Sequence, residues 1–92
     1  MAGVTTNLST NKVYYVIQKD YGDVLHHGPF YTLADAKDKY RTVSMIHACC
    51  LIEKTSDGKI VMLEYYGLRL LHCFKEEFIK HAEKLDTTYA FL

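Results

Sequence analysis

The feature that most constrains this chain is Asp57-Gly58, set between two apolar runs, Met45 to Glu53 and Ile60 to Tyr66. Asp and Gly both tolerate positive φ, so this pair between strand-like runs predicts a β-hairpin. Read as a two-residue turn, it sets Ser56 opposite Lys59 and fixes the register behind it.

Other elements follow on either side. Val13 to Gln18 is β-branched and aromatic and reads as a strand. The turn-like Lys19 to Asp23 follows, then a returning strand over Val24 to His27 that ends at Gly28-Pro29. Thr32 is an N-cap with Asp35 three residues on, and Leu33, Ala36, Tyr40 and Val43 recur at helical spacing, which predicts a helix from Leu33 to about Val43. A second helical pattern runs through Leu71, Phe74, Phe78, Ala82 and Leu85, with Lys80, His81 and Lys84 suiting its C-terminal end. Residues 68–73 read equally as helix or strand, and residues 87–92 are strand-like enough to join the sheet.

The expected fold class is α+β: a small antiparallel sheet of about four strands in the order β-β-α-β-β-α, with both helices packed on one face. A C-terminal strand replacing the second one would give the ferredoxin-like order instead. Residues 1–11 are polar and aperiodic and read as a mobile tail; residues 12–92 form the single domain. A chain of 92 residues buries only about 60–65% of its unfolded surface, so its core is thin.

Composition narrows the functional classes. Eleven basic residues balance eleven acidic ones, so generic attraction to phosphate is weak. Three cysteines, Cys49, Cys50 and Cys73, suggest no disulfide framework and fit reduced, buried thiols in a cytoplasmic protein. No apolar stretch approaches membrane-spanning length, no secretory leader follows Met1, and Ala2 stands where myristoylation needs glycine. No membrane partner is expected.

The chemistry tested gives no catalytic, metal or cofactor site. His47-Ala48-Cys49, His72, Cys73 and His81 lie in or beside apolar runs rather than in paired-ligand loops, and His26-His27 alternates sides. Cys49 and Cys50 sit among Ala48, Leu51 and Ile52, an inert setting for a nucleophile. The five glycines are scattered and make no phosphate loop. Gly58 to Tyr66 does not match the aromatic motif of single-strand RNA binders, and Glu53 and Glu64 would repel phosphate; Tyr14 and Tyr15 keep a nucleic-acid-binding module as an alternative. A small Cys/His-dependent enzyme or metal protein is the third reading.

The hairpin carries the functional expectation. One face holds Ile46, Ala48, Cys50 and Ile52 with Val61, Leu63 and Tyr65 opposite, a core face. The other holds His47, Cys49, Leu51 and Glu53 with Ile60, Met62, Glu64 and Tyr66 opposite. A solvated face should alternate to polar residues, and this one stays apolar. With both helices on the first face, the second is an exposed docking surface. The expected interface is Leu51, Ile60, Met62 and Tyr66, with His47, Glu53 and Glu64 as a polar rim. The expected function is non-enzymatic protein binding by an adaptor or inhibitor, most simply a homodimer, of a kind that phage or mobile-element accessory proteins supply.

Overall fold

The computed structural model describes residues 11–68 and 73–91. The expected tail therefore lies outside the described residues except for Asn11, whose carbonyl accepts a hydrogen bond from Ser56 N at 3.1 Å. Four strands form one antiparallel sheet: β1 (Lys12–Asp20), β2 (Asp23–Phe30), β3 (Cys49–Thr55) and β4 (Ile60–Tyr66), in the spatial order β2-β1-β3-β4. Helix α1 (Leu33–Ser44) joins β2 to β3, and α2 (Lys75–Lys84) follows β4. The order is β-β-α-β-β-α, an α+β fold as the sequence predicts. Residues 88–91 form a 3-10 turn against β1, not a fifth strand, so the ferredoxin-like order is not adopted. Residues 69–72, most of the stretch that reads as helix or strand, lie outside the described residues.

The expectation that both helices share one face is corrected. Phe78 and Ala82 of α2 pack with Val13, Tyr15, Ile17, Cys50 and Ile52. Ala36 and Val43 of α1 pack with Val16, Cys49 and Leu51. Odd and even positions of β3 thus point to different helices, which is possible only if α1 and α2 cover opposite faces. Topology explains it. β2 and β3 both run antiparallel to β1, so they are parallel to each other, and α1 is the crossover between them. A crossover helix must lie on a face; α2 has no later strand to reach and covers the face left open.

Thr32 caps α1, its hydroxyl accepting from Asp35 N at 3.2 Å. Helix α2 carries Glu76 and Glu77 in its first turn and His81 and Lys84 in its last, and the two carboxylates and Lys84 suit the helix dipole. Strand β2 runs through Gly28-Pro29 rather than stopping there, with an extra residue against β1 between Tyr14 and Val16. Gly28 has φ +126°, and a Cβ there would sit 2.8 Å from the Tyr14 carbonyl oxygen, so the irregularity requires glycine.

The β3–β4 hairpin forms, with a longer turn than expected. Thr55, not Ser56, faces Lys59, and Gly58 takes φ +93° at the end of a three-residue loop. The Thr55 hydroxyl bonds the Asp57 carboxylate, which also accepts from Lys59 N at 3.3 Å. The longer turn shifts the pairing by one residue, to Lys54↔Ile60, Glu53↔Val61 and Ile52↔Met62. A bulge at Leu63 then shifts it back, giving Leu51↔Glu64, Cys50↔Tyr65 and Cys49↔Tyr66.

Candidate functional site

The double shift divides the expected docking face. Ile60 and Met62 turn to the α2 side and pack against its core, with Tyr65. Leu51 is fully buried beneath α1. Glu53 is half-buried and pairs with Lys12, Nζ to Oε1 3.8 Å. Glu64 and Tyr66 remain exposed on the α1 side, where β4 lies beyond the strands that α1 mainly covers. His47 lies at the end of the sheet, half-buried. Of the seven residues, Glu53, Glu64 and Tyr66 thus share one side of the β3–β4 ribbon, and the other four lie elsewhere or are covered.

A different apolar surface is present at that end of the sheet. A cleft of about 410 Å³ is lined by Lys19, Asp20, Tyr21, Ile46, His47, Ala48, Leu68 and Phe74. Three connections build it. The β1–β2 turn supplies Tyr21, held at φ 56°. The chain leaving α1 after its C-cap Met45 supplies Ile46, whose N–H donates to Val43 O at 3.0 Å. The segment after β4 supplies Leu68 and Phe74. Tyr21 is 95% exposed, Met45 81% and Ile46 69%, unusually open for side chains of this size.

The floor of the cleft is fixed. Lys19 Nζ lies 2.7 Å from Glu77 Oε2 and 5.4 Å from the centre of the Phe74 ring. Phe74 N donates to the Tyr65 hydroxyl at 3.1 Å. The lysine stem and the ring form a rigid wall whose one charge is already paired.

Sequence reading missed this surface because Met45 and Ile46 look like the start of β3. The strand begins only at Cys49, after the helix end has turned the chain. The signal available was the helical spacing itself, which carries past Val43.

The two adjacent thiols sit where the thiolate is disfavoured. Cys49 and Cys50 are fully buried, one on each face of the sheet, and burial pushes both thiols up to about 12. Both stay protonated at neutral pH, and the thiolate is the reactive form. Cys73 is exposed. A histidine pair lies elsewhere, at the rim between β2 and α2: His26 Nδ1 and His81 Nε2 are 2.9 Å apart. Among the described residues, no three His, Cys, Asp or Glu side chains are grouped to hold a metal ion, and no helix is long and apolar enough to cross a membrane.

No family model, curated protein or solved structure matches this chain.

Proposed function

We propose that the protein is a protein-binding domain that acts by contact rather than turnover, as an adaptor or inhibitor, and that it works as a homodimer. The observation that carries the binding reading is the cleft at the end of the sheet, with Tyr21 and Ile46 open on its lining and the exposed Met45 next to Ile46 in the chain. Large apolar side chains grouped around a concave site favour an apolar anchor from another protein, and such anchors supply most of the energy of small interfaces. The two faces of β1 and β3, by contrast, are already covered by α1 and α2.

Site-specific photocrosslinking in the native host cell tests it. A benzophenone side chain at Met45 should give one discrete adduct with a protein partner. The same group at Lys37, on the exposed side of α1, should not. Tyr21→Asp should abolish the Met45 adduct while leaving the fold intact, since Tyr21 is almost wholly exposed. No adduct from Met45, or identical adducts from both positions, contradicts the binding reading.

A further inference from the structure

The charges on the cleft at the end of the sheet are not balanced. Ile46, Ala48, Leu68 and Phe74 give it an apolar lining, and the β1–β2 turn adds Asp20 and Tyr21. Besides the His47 imidazole, two ionic side chains line it, Lys19 and Asp20. They are not equivalent. The Lys19 ammonium is held 2.7 Å from Glu77 Oε2. Asp20 makes no ion pair among the described residues.

A second carboxylate deepens the imbalance. Asp20 pairs with Asp23 across the two-residue turn, so two acidic side chains hold directly opposed positions, an arrangement that repels. Asp23 is exposed and also makes no ion pair among the described residues. Between them Tyr21 is 95% exposed. A cation from another molecule answers both features, because it neutralises carboxylates and lies favourably over an aromatic face. A guanidinium suits them best, since its planar fork can pair with a carboxylate while it stacks on a ring. An anionic segment would meet two carboxylates, with Lys19 already paired. At about 410 Å³ the cleft is at the small end of ligand pockets and takes a side chain rather than a folded element.

We infer that the cleft binds a protein segment in which a large apolar side chain stands beside an arginine or lysine, the apolar group in the cleft and the cation against Asp20, Asp23 and Tyr21. This rests on the protein-binding reading above and names the chemistry of the partner.

Selection from a phage-displayed library of random linear peptides tests it. The full chain is the bait, beside two variants that circular dichroism confirms are folded. Ile46→Asn makes the lining polar without adding charge, at a position that is 69% exposed. The double variant Asp20→Lys with Asp23→Lys reverses the acidic turn. The wild type should enrich peptides that set an arginine or lysine beside a large apolar residue. Each variant should bind those peptides about tenfold more weakly. Replacing the peptide cation by glutamate should weaken binding to the wild type and recover it on the reversed turn. Peptides that need Ile46 but carry no excess of arginine or lysine, or that bind the reversed turn unchanged, overturn the cationic partner and leave the cleft standing. Enrichment of no peptide that depends on Ile46 overturns the inference, and crosslinking from Met45 decides separately whether a protein reaches the cleft.

Discussion

Lys54 closes the C-terminal end of α2: its Nζ donates to the Ala82 carbonyl at 2.9 Å and to the Leu85 carbonyl at 3.0 Å. Lys54 is itself nearly buried, so the ammonium has exchanged water for the two helix-end carbonyls. Burial lowers its pKa, and the carboxylates of Asp86 and Glu83 pull the other way. The bond ties β3 to α2 at the point where the helix dipole is most negative. Lys54→Met keeps the stem and removes the charged donor from both carbonyls, leaving Ala82 O only the Leu85 N–H. It should lower stability by about 2 kcal/mol, the usual loss for hydrogen bonds to a charged group. Lys54→Ala should cost more, since it also removes the buried stem. Urea unfolding at neutral pH measures both. An unchanged midpoint for Lys54→Met contradicts the capping role.

The His26–His81 contact predicts a pH dependence with a definite sign. The facing ring nitrogens are 2.9 Å apart, so the pair holds only while at least one ring is neutral. Burial lowers the His81 pKa, and His26 and Lys84 lower it further; burial, then Lys39, His26 and His47, lower that of His27. A histidine whose folded pKa lies below its unfolded value contributes stability that is fully present above about pH 6.5 and lost as pH falls through the folded value. The urea midpoint should therefore be lower at about pH 5 than at about pH 7.5. His81→Gln should show a smaller drop over the same interval. Equal drops in the two proteins contradict a role for the pair.

Gly28→Ala should be among the most damaging single substitutions in β2. The backbone is at φ +126°, and the new methyl would meet the Tyr14 carbonyl oxygen at 2.8 Å and the Tyr15 ring at 3.0 Å. The strain falls on the β2 backbone and the clash on the neighbouring inner strand β1, and the loss should reach about 2 kcal/mol or more. Gly22→Ala is the control, because a Cβ there meets nothing within 4 Å. Thermal unfolding should place Gly28→Ala well below Gly22→Ala; a reversal contradicts the account of the β2 irregularity.

Much of the fold is legible in the sequence, and the parts that are not have physical causes. Asp57-Gly58 marks the hairpin and Thr32 with Asp35 marks the start of α1, because turn and cap chemistry is local. The helix placement was open to the same kind of reading. Val13 to Ile17 and Cys49 to Ile52 are apolar at odd and even positions alike, the pattern of strands covered on both faces, and all but Tyr14 among them are buried. What no local rule supplied was the register of β4. One extra turn residue and the Leu63 bulge move Ile60 and Met62 to one side and leave Glu64 and Tyr66 on the other, and alternation along the strand cannot reveal a break in itself. The site followed the same division. Glu53, Glu64 and Tyr66 keep company as expected, whereas the cleft arises from three connections that meet only in the folded chain.

The central claim is that β1 and β3, the centre of the sheet, are covered on both faces within one chain, so that contact with other molecules falls outside that centre. Cys49 and Cys50 report on it directly, one beneath α1 and the other beneath α2. Titration of the native protein with a thiol reagent should label one cysteine per chain rapidly, Cys73, and all three only after unfolding. Peptide mapping that finds Cys49 labelled as fast as Cys73 in the native state would show the α1 face open and contradict the claim.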